Sequence, residues 1–326
     1  MSSAESQLAL ANADRIAGGR LLIVGLDASV AQRLSPATVF HQNLRAHRAV
    51  SSLADTHFGA WFSAEQPYDT ALVEMPKETE RLRMTLSLAR AAVGSGGRVV
   101  LIGRNDAGIK SAGRHLSEIV GENEVLDFRF HARAIVASAT VPPSRSTLDD
   151  WESVFTAENT RLALEVHSFP GVFAHGRIDQ GTRRLLDVLQ LPTGMRALDV
   201  GCGNGVIGAW LSEAGVACDS VDVDAVAVEA AVRTVGSAWA SDLFSDVHGP
   251  YDAIVSNPPF HSGVRTTSAV AIRMIEEAPA HLVAGGEMWL VANRFLDYRT
   301  PLKEAFAHVE TVFEDNKFRV YKAKRG

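Results

Sequence analysis

The sequence predicts two consecutive α/β units, each a largely parallel β-sheet with helices on both faces. Three observations carry that prediction. Apolar strand-like runs alternate with helical patterns across residues 196–293; such alternation marks strands joined by crossover helices. Three short motifs of this region recur in the same order between residues 19 and 105. A Pro-Pro, Ser and Thr stretch, "TVPPSRSTLDDWESV" (140–154), lies between the two copies. At 326 residues, 46% hydrophobic and 21% charged, the chain is long enough for two cores and has an ordinary globular composition.

The second copy reads in order as follows. "RALDVGCG" (196–203) is a strand running into glycines, "VIGAWLSEA" (206–214) a helix and "CDSVDVD" (218–224) a second strand. "AVAVEAAVRTV" (225–235) is helical, and Asp224 just before it is placed to cap it. "YDAIVS" (251–256) and "GEMWLVAN" (286–293) are further strands with the helical "SAVAIRMIEEAPAHL" (268–282) between them. "VETVFED" and "FRVYKAK", separated by Asn316-Lys317, close the chain as an antiparallel hairpin. In the first copy, "GRLLIVGLDASVAQRL" (19–34) lies over 195–211 with Gly25 on Gly201. "YDTALVEMPK" (68–77) lies over "YDAIVSNPPF", and "GGRVVLIGRN" (96–105) over "GGEMWLVANR". An internal duplication follows, with the first copy lacking both the glycine loop and the Asn-Pro-Pro-Phe.

Composition narrows the function classes. No apolar run reaches the roughly 18 residues of a membrane span, and the first 15 residues lack the pattern of a secretory signal, so a cytoplasmic protein away from membranes is expected. Two cysteines, Cys202 and Cys218, offer no disulfide framework. The 11 histidines show no metal-ligand spacing, and no metal is predicted. The net charge of −6 does not advertise nucleic-acid binding. Residues 1–150 hold 16 basic and 16 acidic side chains, so the whole deficit falls in the second copy, and any RNA contact must use local patches such as Arg104, Lys110 and Arg114.

Two motifs carry chemistry. In "LDVGCGNGVIG", Gly201, Gly203 and Gly205 stand between a strand and a helix, where positive φ and close ligand approach are needed. The acid closing the next strand, Asp222, can accept both hydroxyls of a ribose. The spacing differs from the G-x-G-x-x-G of dinucleotide folds; the loop reads as a nucleotide-type site or as a plain tight turn. In "YDAIVSNPPFHSG", Asn257, Pro258, Pro259 and Phe260 end a strand abruptly.

The D-x-G-x-G-x-G pattern followed by Asp222 resembles the cofactor loop of class I S-adenosylmethionine-dependent methyltransferases. The Asn-Pro-Pro-aromatic turn resembles the members that methylate planar nitrogens. "FPGVFAHGRIDQGTRRLL" (169–186), "SNPPFHSG", "VANRFLDY" and "NKFRVYKAK" are similar to the rRNA guanine-N2 methyltransferases; "PKETERLRMTL" and "GRNDAGIKSA" resemble the N-terminal domain of the small-subunit member. The resemblance implies two tandem Rossmann-like domains: a degenerate one at 1–145 that supports RNA recognition and a catalytic one at 155–326. It also implies S-adenosylmethionine as cofactor, ribosomal RNA or a ribosomal subunit as partner, and a monomer.

On this resemblance Gly201, Gly203 and Gly205 border the cofactor. Asp199 takes its ammonium, Asp222 its ribose and Asp242 its adenine amino group; Phe173 lies along the pocket, with Asp179 near the methionine end. Asn257 and the Pro258 carbonyl accept N–H bonds from the target amine, the Pro258-Pro259 unit fixes the carbonyl's direction, and Phe260 stacks on the base. Large-subunit rRNA guanine-N2, adenine-N6 and release-factor glutamine methyltransferases remain alternatives. So does a catalytically silent RNA-binding assembly factor.

Overall fold

The computed structural model describes residues 3–53, 55–158, 163–258 and 264–326, with the side chains of 264–268 outside that set. Two compact units divide between Glu152 and Ser153. The first contains β1 (Leu21–Val24), β2 (Thr38–His41), β3 (Thr56–Phe58), β4 (Tyr68–Glu74), β5 (Val93–Arg104), β6 (Asn123–Arg129) and β7 (Ala132–Ser138). The second opens with an antiparallel pair, β8 (Ser153–Glu158) and β9 (Ala163–Ser168). There follow β10 (Arg196–Val200), β11 (Ala217–Asp222), β12 (Ala238–Ala240), β13 (Tyr251–Ser256), β14 (Leu282–Asn293), β15 (His308–Glu314) and β16 (Phe318–Lys324).

The two large sheets have the same topology. Strand order is β3-β2-β1-β4-β5-β7-β6 in one and β12-β11-β10-β13-β14-β16-β15 in the other. In each, five strands are parallel and a terminal hairpin inserts its second strand antiparallel beside the fifth. All three motif pairs therefore fall on equivalent strands: β1 with β10, β4 with β13, β5 with β14. Gly25 and Gly201, superposed by the sequence pattern, both adopt left-handed φ, +89° and +73°.

A second shared feature sits at the amino ends of the central strands. The Arg20 N–H donates to Asp69 Oδ2 at 2.6 Å, and its guanidinium lies 4.6 Å from the Tyr68 ring centre. In the other unit the Arg196 N–H donates to Asp252 Oδ2 at 2.8 Å, and its guanidinium lies 4.3 Å from the Tyr251 ring centre. The same clasp thus joins β1 to β4 and β10 to β13.

The second unit shows why the site sits where it does. Side chains alternate across a strand. Leu198, Val200, Ile254 and Leu290 face one way, packing with Ala271, Met274 and Ile275 of the helix Val264–Glu277. Ala197, Ala253, Val255 and Val291 face the other, under Leu185 and Leu186 of the helix Gln180–Val188 and Ile207, Trp210 and Leu211 of the helix Val206–Glu213. By the same parity Asp199 and Asn257 belong to this second face. Strand order reverses beside β10, with β11 on one side and β13 on the other; the carboxyl ends of such strands form the crevice where open α/β sheets bind ligands.

Candidate active site

The crevice is lined by Phe173, Arg177, Asp179, Thr182, Gly201, Gly203, Asn204 and Asn257. Gly201 and Gly203 have φ of +73° and +55°, which L side chains rarely adopt. A Cβ on Gly201 would meet no atom within 4 Å, and one on Gly203 would meet only the Phe173 Cβ at 3.8 Å. Gly201 therefore turns bare backbone toward open space, while Gly203 is buried against the Phe173 wall. Gly205 differs: with φ +78°, its added Cβ would lie 3.0 Å from Ala231 Cα, so its small size serves helix packing. Phe173 is 37% exposed and forms one wall.

Asp222 braces this loop. Its Oδ2 accepts the Gly203 N–H at 3.0 Å and its Oδ1 the Asp224 N–H at 2.9 Å. Asp224 in turn caps the helix Ala225–Val235 by accepting from the Val226 N–H at 2.9 Å, as its position in the sequence predicts. Burial pushes the Asp222 carboxyl up to about 6, against the pull of these amides.

Asp199 is fully buried near the end of β10, and among the described residues neither carboxylate oxygen has a hydrogen-bond partner. Burial, then the Asp222 charge, pushes it up to about 8; the nearby Gly208 amide opposes this weakly, without hydrogen-bond geometry. A carboxylate with nothing to neutralise it is costly inside a protein. Its chemistry suits a cationic ligand group, met directly or through a water, but neither Asp199 nor Asp222 lines the crevice itself.

Asn257 is the third element. It is 7% exposed at the end of β13. Its Nδ2 donates to Asp179 Oδ2 at 3.0 Å and to Thr182 Oγ1 at 2.7 Å, while its buried Oδ1 has no partner among the described residues. An ionised carboxylate only accepts hydrogen bonds, so the amide nitrogen must face Asp179, and the oxygen is left aimed away. Asp179 holds its place because it caps the helix Gln180–Val188, its Oδ2 also accepting the Thr182 N–H at 3.0 Å. Pro258 is buried beside Asn257; Pro259 and Phe260 lie outside the described residues.

Asp242 follows β12, with Oδ1 accepting from Arg273 Nη2 at 2.8 Å. It does not line the crevice around Asn257. Thr182, like Arg177 and Asn204, is a crevice side chain that the sequence reading left without a role. A Thr three residues after an N-cap Asp is readable locally, but its meeting with Asn257 is purely tertiary.

Comparison with known proteins adds the family. Residues 6–155 match the family model "Methyltransferase small domain N-terminal", and residues 163–322 match "Methyltransferase small domain". A "Ribosomal RNA small subunit methyltransferase C" of Vibrio parahaemolyticus is 32% identical over 99% of this chain and 98% of its own. Its namesake from Chromohalobacter salexigens is 41% identical over 79% of this chain and 78% of its own. This chain belongs to the ribosomal RNA small subunit methyltransferase C family.

A solved structure of the T. thermophilus 16S rRNA N2 G1207 methyltransferase, in complex with AdoMet and guanosine, matches at a TM-score of 0.89. It is 23% identical and covers 99% of this chain and 92% of its own, so it carries the fold of the pair of domains. The Rossmann-like tandem expected from the duplication is thus the family architecture. The crevice lies in the second unit, the one that the "Methyltransferase small domain" model matches. Its equivalent in the first unit has Asp27 in place of Gly203 and Glu74 in place of Asn257, and burial pushes the Glu74 carboxyl up to about 7, with Glu5 and Asp27 adding to the rise.

Proposed function

We propose that the chain transfers the methyl group of S-adenosylmethionine to the exocyclic N2 of a guanine in small-subunit ribosomal RNA, working as a cytoplasmic monomer. The observation that carries this is the buried, unpartnered Oδ1 of Asn257, its polarity set by Asp179 and Thr182. Among the described residues no helix is long and apolar enough to cross a membrane.

S-adenosylmethionine supplies a methyl group made electrophilic by its sulfonium. The bare backbone of Gly201 and Gly203 borders its methionine part, Asp199 accepts its ammonium, and Asp222 receives the ribose hydroxyls on the lone pairs left beside its two backbone bonds. Phe173 lies along the cofactor pocket, and the adenine amino group falls to Asp242, outside the crevice around Asn257, on the family resemblance.

The guanine leaves its stack to reach this depth. Asn257 Oδ1 accepts one N–H of the amine and the Pro258 carbonyl the other, which draws the N2 lone pair out of conjugation and toward the methyl carbon. The N–C bond forms as the C–S bond breaks, and the acidified N2 proton leaves to water, so the site needs no dedicated base. Phe260 stacks on the base.

The deciding experiment uses labelled cofactor and separated 30S and 50S subunits from cells lacking the gene, with nuclease digestion and mass spectrometry of the product. N2-methylguanosine in 30S RNA is expected, and the guanine equivalent to that named for the T. thermophilus enzyme is the first position to inspect. Label in N6-methyladenosine, or in 50S RNA alone, would overturn the assignment.

A further inference from the structure

Beside the Asn257 crevice, the carboxyl edge of the catalytic sheet carries a second concavity. It is an open groove of about 450 Å³ lined by Asn293, Arg294, Phe295, Asn316, Lys317 and Phe318, within the size range of small-molecule sites, roughly 300–1,000 Å³. Its two walls, the end of β14 and the β15–β16 turn, are locked together. Asn293 lies across from Phe318 in the antiparallel register, and the Arg294 N–H donates to the Lys317 carbonyl at 2.8 Å.

Phe295 is 75% exposed, more than any other large hydrophobic side chain among the described residues. A ring held in water on a rigid turn contributes little to the fold and has a free face for a partner. Around it stand Lys317, which is exposed, and Arg294, whose side chain is 55% exposed. Each acid nearby has an arginine other than Arg294: Glu314 has Arg319 at 2.9 Å, Asp315 has Arg184 at 3.3 Å and Asp297 has Arg299 at 3.0 Å, so Arg294, 3.1 Å from Glu314, is the surplus cation there. Asn293 and Asn316 add carboxamides able to meet the edge of a base. The groove shares a wall with the catalytic crevice, since a Cβ on Gly181 would lie 3.2 Å from the Phe318 ring and 2.9 Å from Asp179 Oδ2.

We propose that this groove is a subsite for the nucleotide adjoining the methylated guanine, its base stacked on Phe295 and its phosphate held between Arg294 and Lys317. The inference rests on the reading of the chain as an rRNA methyltransferase. Extruding one base strips a neighbour of its stacking partner, and an exposed aromatic ring beside the pocket restores that contact for any base. The paired cations follow the backbone and carry no sequence information.

The test is steady-state methylation of the ribosomal RNA substrate by full-length Phe295→Ala, Phe295→Trp and the double variant Arg294→Ala/Lys317→Ala. Calorimetry with S-adenosylmethionine and thermal melting accompany each as controls. Phe295→Ala is expected to raise KM for RNA at least fivefold, with kcat within twofold and cofactor affinity unchanged, and Phe295→Trp to stay near wild type. The double variant should reduce the slope of log affinity against log salt by about 0.7, the loss of one single-strand phosphate contact. A wild-type KM for Phe295→Ala overturns the subsite. So does a fall in kcat at unchanged KM, which would give the ring to the reacting base. Absence of methyl transfer to ribosomal RNA by the wild-type protein would instead overturn the underlying reading, and the subsite with it.

Discussion

At the scale of single residues, the proposed mechanism rests on an amide whose orientation Asp179 and Thr182 set before substrate arrives. Asn257→Ala removes the acceptor and should lower kcat by about a hundredfold to a thousandfold, while calorimetric affinity for S-adenosylmethionine persists. Turnover near the wild-type rate would sink the mechanism. Asp179→Asn is subtler. Asn caps a helix as well as Asp does, so melting should hardly change, but the acceptor that pins the Asn257 amide is weakened, and kcat should drop at least tenfold.

Asp199 gives a pH dependence with a definite sign. Its folded carboxyl, at about 8, lies above its ordinary value of 3.8. Between those pH values the folded state binds more protons than the unfolded one, so the free protein loses stability as pH rises toward 8. A ligand cation favours the ionised form, so cofactor affinity should rise over the same upper range, with Asp222, at about 6, adding to it. Binding at pH 7 should release protons, visible as calorimetric heats that change with the ionisation enthalpy of the buffer. Heats independent of the buffer would refute this. Asp199→Asn should flatten the stability profile.

Elements show where the sequence was legible and where it was not. Strands β10, β13 and β14 announced themselves because both faces are covered and their residues are apolar in runs. The Asp224 cap was readable because its partner is two residues away. The β8–β9 pair was not, since each strand is six residues long and its exposure alternates without a strong apolar run. The glycine loop was read correctly as a backbone device, but its three glycines looked alike; only the neighbouring helix separates Gly205 from the other two. Gly205→Ala combines a left-handed backbone with a Cβ 3.0 Å from Ala231 Cα. It should destabilise the protein by about 1–3 kcal/mol in urea unfolding, whereas a change within a few tenths would show that the helix yields.

At the scale of the whole molecule, duplication of the fold without duplication of the site predicts a stoichiometry. Titration with S-adenosylmethionine should give one site per chain, because Glu74 and Asp27 occupy the first unit's equivalents of Asn257 and Gly203. Two equivalents bound would contradict the loss of the first site. The repeat itself was visible as three short motifs in order. The shared strand order was not, because the insertion of β16 between β14 and β15 depends on long-range pairing that no local pattern encodes.

The Arg-Tyr-Asp clasp, present in both units, bears on how such a chain changes over time. It grips the strands where they begin, whereas the candidate site of the second unit gathers where the strands end. Selection for durability and selection for reactivity therefore act on opposite ends of one sheet, with little overlap between the residues each needs. A gene copy released from catalysis can discard its reactive rim and still fold, and it persists as a sound module on which a new surface can be tried.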